Sequence, residues 1–161
     1  MNIFVLSTNP QQAAEFHCDK HVVKMILETA QLLYCAHWIT DPSVLDESAY
    51  RKTHPNHPCA IWVRESTANY QWLCDLGLWL CHEYTYRYGK VHKTQCHLEW
   101  LAVNTPALPE IGATKFKMAM PDHYKSDDPV VAYQNYYIGD KQRMLNFTKR
   151  PPPPFLEKKT I

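Results

Sequence analysis

The sequence predicts a mainly α protein, a single compact domain of three to four helices with long ordered loops and a polyproline C-terminal arm. Long stretches place apolar residues at helical spacing, and no alternating β pattern occurs beyond the N-terminal run. The 161 residues are 45% hydrophobic, which is enough for one core. We expect the helical domain to span residues 1–150 and the proline-rich arm to span residues 151–161.

The first helix is expected from about Pro10 to about Trp38. The apolar run MNIFVLS precedes it and indicates either a strand or an extended, buried lead-in. Thr8 and Asn9 supply capping side chains, and Pro10 is favoured in the first helical turn. Residues 39–58 then form a loop with at most one turn of helix.

A second long helix is expected from about Cys59 to about Tyr88. Gly89 follows it and is typical of the residue that ends a helix. The apolar residues of this segment, from Ile61 to Leu80, cover more than one helical face. The helix should therefore lie at the centre of the fold.

Two shorter helices are expected in the second half of the chain, over residues 92–103 and residues 130–147. The stretch between them, residues 104–129, carries prolines together with apolar side chains, which favours an ordered loop. The run KRPPPPF ends the last helix, because proline lacks a backbone N–H and its ring clashes with the preceding turn.

Composition gives a broad class and compartment. The six cysteines show no CxxC spacing, and the N-terminus lacks the charged and apolar regions of a signal peptide. No apolar run approaches the roughly 18 residues of a membrane span. We expect a soluble protein with reduced thiols in the cytoplasm, or in the host cytoplasm if the chain is viral. The net charge of +1 does not exclude nucleic acid, because it can hide a basic face.

The first expected helix carries a narrow polar stripe on an otherwise apolar surface. The members of this polar stripe are His17, Lys20, His21, Lys24, Glu28 and Gln31. They fall within an arc of about 100° on a helical wheel. A mostly apolar helix is buried, and isolated charges are costly to bury, so the stripe should line a wet cleft. The alternative is a solvated face on which Lys24 and Glu28 form an ordinary i,i+4 pair.

The polar stripe suits an anion better than a cation. His17 and His21 have the spacing to hold a divalent metal on one helical face. Lys20 and Lys24 beside them would repel that metal, whereas clustered lysine and protonated histidine favour a phosphate group. A phosphate-containing ligand is therefore expected, with no metal and no cofactor.

Three further residues lie near expected helix ends. His57 precedes a proline, which restricts its backbone, so its ring could bind phosphate or transfer protons, or simply cap the helix. Arg87 could offer its planar guanidinium to a phosphate, or form a structural i,i+4 salt bridge with Glu83. His92 follows shortly after and could complete the same site.

The last expected helix places Tyr133, Tyr137 and Lys141 at i,i+4 spacing. Aromatic rings stack on exposed bases, and neighbouring cations contact phosphates. This stripe therefore indicates contact with DNA or a nucleotide. The alternative is a buried aromatic face with a basic rim.

The order of these segments carries a family resemblance. A short apolar N-terminal segment is followed by a long helix with basic residues near its start, and then by HPCAIWVRESTANYQWLCDLGLWLCHEYTYRYGK. Over roughly residues 1–90 this order resembles the small, mainly helical pyrimidine-dimer DNA glycosylases of the endonuclease V type. The opening MNIFVL and the helix CDKHVVKMILETAQLL also resemble small proteins of bacteriophage genomes.

The glycosylase resemblance implies an amine nucleophile. It implies that an N-terminal α-amine attacks the sugar C1′ and forms a Schiff base, helped by a glutamate on the first long helix. An α-amine has an ordinary pKa of about 8 and is partly neutral at cellular pH. The bulky Asn2 side chain discourages removal of Met1, so the reactive amine would belong to Met1 or to a lysine.

The chain also departs from the family at positions that this resemblance aligns. Lys20 and Lys24 match the positions of phosphate-contacting arginines. His21 stands where the glutamate would be expected, and Glu28 lies one to two turns later. A different modified base or nucleotide would accommodate these departures better than a pyrimidine dimer.

The leading hypothesis is a phage-type enzyme that acts on DNA or nucleotides, most concretely a DNA glycosylase/AP lyase for damaged or modified bases. The expected catalytic residues are Met1, His21, Glu28 and His57. The expected substrate and phosphate ligands are His17, Lys20, Lys24, Arg87, His92, Tyr133, Tyr137 and Lys141. The first alternative is a non-catalytic viral protein that binds a nucleotide or another phosphorylated ligand. The second is a metal-dependent phosphoesterase that uses His17, His21 and His57.

Overall fold

The computed structural model describes the backbone of residues 1–160 and the side chains of residues 1–157. Over this part the chain forms six α-helices and no strand. The helices are α1 (Pro10–Phe16), α2 (Asp19–Thr40), α3 (Pro58–Glu65), α4 (Thr67–Tyr88), α5 (Gln95–Val103) and α6 (Pro129–Asp140). The mainly α class is confirmed. The expected count of three to four helices is wrong, because each of the two long helices is broken in two.

The first break lies at His17 and Cys18, whose backbone is extended. The end of α1 therefore leaves carbonyl groups without partners inside the helix. Arg87 of α4 donates to the carbonyls of Glu15 at 3.0 Å and His17 at 2.8 Å. It also donates to the carboxylate of Asp19, the first residue of α2, at 3.0 Å. His17 thus precedes α2, and the polar stripe is not one continuous helical face.

The second break lies at Ser66, whose backbone is extended with φ −157° and ψ 157°. The Ser66 hydroxyl accepts the Asn69 N–H at 3.1 Å and caps the start of α4. The Asn69 side chain donates to the carbonyl of Trp62 in α3 at 2.8 Å. These side-chain bonds satisfy backbone groups that the break leaves free.

Helix α4 occupies the centre of the fold, as its apolar pattern predicts, and packs against α1, α2, α3 and α5. A Cβ atom added at Gly77 would lie 2.9 Å from side-chain atoms of Leu98 on α5 and of Thr29 on α2. The absence of a side chain at this position lets the three helices approach closely. As predicted, α4 ends at Gly89, whose φ of +67° lies in the left-handed region.

Residues 1–7 form the extended, buried lead-in rather than a strand. Residues 3–6 are each at most 5% exposed. The Phe4 ring stacks on His21 of α2 with 4.2 Å between centroids, and lies 5.6 Å from the Tyr137 ring of α6. The lead-in therefore lies between α2 and α6 and brings the N-terminus to the side of α2.

The segment after α6 returns to the first part of the chain. The Thr148 hydroxyl donates to the Asp19 carboxylate at 2.7 Å. Phe155 is 5% exposed and packs against Phe16 with 5.7 Å between ring centroids. The expected arm thus includes a docked aromatic residue and a short 3-10 segment, while its last residue, 161, lies outside the described residues.

All six cysteines are free thiols, and five of them are buried. None of the helices in the described part of the chain combines the length and apolar character needed to cross a membrane.

Candidate active site

The N-terminal amine lies against a carboxylate of α2. The nitrogen of Met1 is 3.4 Å from Oε1 of Glu28, and we call these two groups the amine–carboxylate pair. Both side chains are largely shielded, with 7% of Met1 and 13% of Glu28 exposed. On the other side of Glu28, Nζ of Lys24 lies 3.5 Å from Oε2, and the Lys24 side chain is 70% exposed. Each carboxylate oxygen therefore faces a different amine.

His57 lies within electrostatic reach of the amine–carboxylate pair. Its Nδ1 accepts the N–H of Cys59 at 3.0 Å, so the ring caps α3 and the neutral form carries its proton on Nε2. Burial is the main cause that lowers the pKa of His57, and the positive N-terminal amine and His54 lower it further. The Glu28 carboxylate acts in the opposite direction. His57 is thus a neutral imidazole at pH 7.

His17 and His21 form a buried histidine cluster with Phe4 and Tyr137. Nδ1 of His21 lies 2.6 Å from the Tyr137 hydroxyl, and burial lowers the pKa of His21 to about 3. His17 donates from Nδ1 to the carbonyl of Ala13 at 2.6 Å, and burial lowers its pKa to about 4. Both rings are neutral at pH 7, so neither supplies the positive charge expected for phosphate binding. Their burial also closes them to a ligand, which corrects the roles expected for both.

The two histidines do not join a wider set of metal ligands. Their ring centroids are 6.4 Å apart. Among the residues that the structure describes, no three His, Cys, Asp or Glu side chains converge on a position that could hold a metal ion.

Arg87 is fully engaged by the protein and is not open to a phosphate. It is 3% exposed and donates from Nε to Glu83 at 2.8 Å, in addition to its bonds at the α1–α2 break. Glu83, itself 2% exposed, also pairs with Arg150 at 2.5 Å. Glu83 and Arg87 form the structural salt bridge that was the alternative interpretation. The burial of Arg87 does not fit its expected role in phosphate binding.

The tyrosines of α6 face inward. Tyr133 and Tyr137 are both 0% exposed, so neither ring is available to stack on a base. The half-buried ring of this helix is Tyr136, and Nζ of Lys141 lies 4.6 Å from its centroid. The i,i+4 spacing identified a shared face correctly, but that face packs into the core. The half-buried neighbour, Tyr136, carried no separate signal in the sequence.

The remaining expected ligands are divided between two places. Lys20 is exposed on α2, one turn before Lys24, and the two amines share the solvent side of the helix. His92 instead binds the backbone of α2, with Nε2 3.2 Å from the carbonyl of Val23. Burial lowers the pKa of His92 as well. The structure thus brings Lys24 to the amine–carboxylate pair, leaves Lys20 exposed one turn further back on α2, and makes His92 a contact between α2 and the segment before α5.

A free α-amine held against a carboxylate on a helical frame defines a class of sites suited to imine-forming chemistry. Residues 1–97 match the family described as pyrimidine dimer DNA glycosylase, which is more than half of the 161 residues, and the chain belongs to this family. Membership confirms the resemblance seen in the sequence and indicates a DNA glycosylase-type function on damaged DNA, with DNA as partner. No curated protein and no solved structure matches the chain.

Proposed function

We propose that the protein is a DNA glycosylase with AP lyase activity on damaged or modified bases, and that its nucleophile is the α-amine of Met1. The observation that carries this proposal is the 3.4 Å separation between that amine and the Glu28 carboxylate. An amine must lose a proton to form a stable bond to carbon, and a carboxylate at this distance can accept it.

The amine, the carboxylate, the substrate and water are sufficient for the bond-making and bond-breaking steps. Glu28 takes a proton from the Met1 ammonium, and the neutral amine attacks C1′ of the damaged nucleotide. The glycosidic bond breaks with its electron pair leaving on the base, which takes up that proton. The amine gives a proton to Glu28, which passes it to O4′ as the C1′–O4′ bond opens, and the lone pair of the nitrogen forms the protonated imine. Removal of a C2′ proton then expels the 3′ phosphate and cuts the strand, and water hydrolyses the imine to free the amine.

The groups around the amine–carboxylate pair have separate roles. Glu28 accepts and returns protons. His57, neutral and fixed with its proton on Nε2, donates a hydrogen bond toward the reacting sugar or leaving base. Lys24 balances the second oxygen of Glu28 and, with Lys20, presents positive charge to the phosphates on either side of the damaged nucleotide. On α6, the half-buried ring of Tyr136, with Nζ of Lys141 4.6 Å from its centroid, is the aromatic group that we assign to contact with the DNA.

Borohydride trapping tests the nucleophile and the substrate together. The protein is incubated with UV-irradiated duplex, untreated duplex and a duplex that contains one abasic site, and borohydride reduces any imine to a stable amine. We expect adducts on the irradiated and abasic duplexes, with peptide mass spectrometry placing the added mass on the N-terminal peptide. An adduct confined to Lys24 would contradict the assignment of Met1.

Glu28→Gln separates catalysis from binding. The amide keeps the size of the side chain but cannot accept a proton, so we expect a loss of trapping of at least about a hundredfold. DNA affinity, measured by fluorescence anisotropy, should stay within about threefold because the exposed lysines remain. Glu99→Gln, an exposed change on α5, is the matched control and should retain wild-type trapping. DNA binding without an adduct on any duplex would instead support the non-catalytic alternative.

A further inference from the structure

The side chain of Asn2, immediately after the proposed nucleophile, is held on every polar atom. Its Nδ2 donates to the carbonyl of Ala119 at 2.9 Å. Its Oδ1 accepts the N–H of Ile3 at 2.8 Å and the hydroxyl of Tyr133 at 2.8 Å. The thiol of Cys59 lies 3.8 Å from the same oxygen. A residue next to a chain terminus is ordinarily among the least constrained in a protein, so this degree of fixation calls for a purpose.

Tyr133 provides the central contact of this arrangement. Its ring is 0% exposed, and its hydroxyl accepts the N–H of Ala119 at 3.2 Å. The single hydroxyl proton has two acceptors in reach, Oδ1 of Asn2 at 2.8 Å and the carbonyl of Lys117 at 2.9 Å. Burial raises the pKa of the Tyr133 hydroxyl, which keeps it a donor at any ordinary pH. The hydroxyl thus links the N-terminus, the extended segment near residue 119 and helix α6.

Fixation of Asn2 determines where the preceding amine can go. The Met1 nitrogen is joined to Asn2 through the Met1 backbone. The Met1 side chain packs against the core. Because three hydrogen bonds fix Asn2, the amine can move only by rotation about the backbone bonds of Met1. Preorganisation of a nucleophile beside its proton acceptor accelerates a reaction because the entropy of orientation is lost before the substrate arrives.

We infer that Asn2 and Tyr133 are positioning residues that hold the Met1 amine at Glu28. This inference rests on the proposed function and deepens it. It assigns a role in the reaction to Tyr133 and to the segment around Ala119, both of which lie outside the family-matched residues 1–97. Both residues act through the Met1 amine, and Tyr133, which is 0% exposed, contributes through its hydroxyl rather than its ring.

Tyr133→Phe tests the inference, because it removes one hydroxyl and leaves the N-terminal sequence unchanged. The matched control is Tyr70→Phe, since Tyr70 is also 0% exposed and its hydroxyl donates to the carbonyl of Leu101 at 2.8 Å. The probe is a duplex with one abasic site. At saturating duplex we expect Tyr133→Phe to slow borohydride trapping at least about tenfold while Kd changes less than about twofold. Tyr70→Phe should leave both quantities within about twofold of wild type.

A second readout does not depend on activity. The rate at which a succinimidyl ester labels the Met1 amine, followed by peptide mass spectrometry, reports how firmly that amine is held. We expect labelling to be at least about threefold faster in Tyr133→Phe and unchanged in Tyr70→Phe. Asn2→Asp, which keeps the acceptor oxygens but loses the donor to Ala119, should shift both readouts in the same direction, with intact mass confirming that Met1 is present. If Tyr133→Phe does not fold, Asn2→Asp tests the inference in its place.

The outcomes separate the two claims. Faster labelling in Tyr133→Phe, with no trapped adduct from the wild type, would overturn the proposed function and leave the positioning intact. A trapped adduct from the wild type, with Tyr133→Phe matching Tyr70→Phe in both readouts, would overturn the inference and leave the proposed function intact. No adduct and no change in labelling would overturn both.

Discussion

His17 and His21 show at the scale of single residues how burial controls charge. Their pKa values are lowered to about 4 and about 3, whereas in an unfolded chain a histidine has an ordinary pKa of about 6.5. Below pH 6.5 the unfolded state therefore binds more protons than the folded state. The stability that these two neutral rings contribute is complete above pH 6.5 and is lost as the pH falls toward 4 and then 3.

This linkage predicts a marked loss of stability in mild acid. Between pH 7 and pH 4.5 the free energy of unfolding should fall by about 2 to 3 kcal/mol for each of the two histidines, as measured by urea titration. His21→Gln should weaken this pH dependence, because one of the two proton-binding groups is gone. His82→Gln alters an exposed histidine and should keep the wild-type dependence. An unchanged slope in His21→Gln would rule out its contribution.

Residue chemistry predicted which side chains could react, but not the direction in which each would point. Glu28 and His57 were candidates from their type and location, and both lie near the N-terminal amine. Tyr133 was expected to face a base, and its hydroxyl instead binds Asn2. A helical repeat identifies which residues share a face, but the packing of the rest of the chain decides whether that face meets the core or the solvent.

At the scale of helices, the ends set by local sequence were predictable and the breaks set by distant contacts were not. The Asn9 side chain caps α1, and Gly89 ends α4, as their residue types indicate. The break before Asp19 is stabilised by Arg87, which is far away in the sequence. The break at Ser66 contains no glycine or proline to mark it. The local sequence pattern therefore predicted one helix in place of α1 and α2, and one helix in place of α3 and α4.

Arg87 should accordingly be the most sensitive residue of the α1–α2 junction. Arg87→Met leaves Glu83 and the carbonyls of Glu15 and His17 without this donor in a buried setting. We expect a loss of at least about 3 kcal/mol in the free energy of unfolding, because a buried carboxylate is left without one of its partners. Arg51→Met, on the exposed surface, should change stability by less than about 0.5 kcal/mol. Equal effects of the two changes would contradict this role.

At the scale of the whole molecule, the family-matched residues and the rest of the chain form one interleaved structure. Helix α6 covers the N-terminal lead-in, Arg150 pairs with Glu83, and Phe155 packs against Phe16 and lies 6.3 Å from the ring of Tyr137. The mainly α class followed from composition and periodicity. The interleaving depends on contacts between distant segments, which no local pattern reports.

A substitution at Phe155 tests how much the C-terminal segment contributes to the stability of the fold. Phe155→Ala removes a ring that is 5% exposed, and we expect the free energy of unfolding to fall by about 3 kcal/mol. Ile111→Ala alters an apolar side chain that is 68% exposed and should have an effect below about 0.5 kcal/mol. If both variants unfold at the wild-type urea concentration, residues around 155 do not belong to the cooperative core.

The contact between Asn2 and Tyr133 spans 131 positions of the chain. During synthesis, the amine that we propose as nucleophile leaves the ribosome well before the hydroxyl that anchors its neighbour. A chain that ends before residue 133 therefore has the amine but lacks the contact that holds Asn2 in place. Full reactivity toward DNA would therefore begin only after residue 133 has been made and has packed against the N-terminal segment.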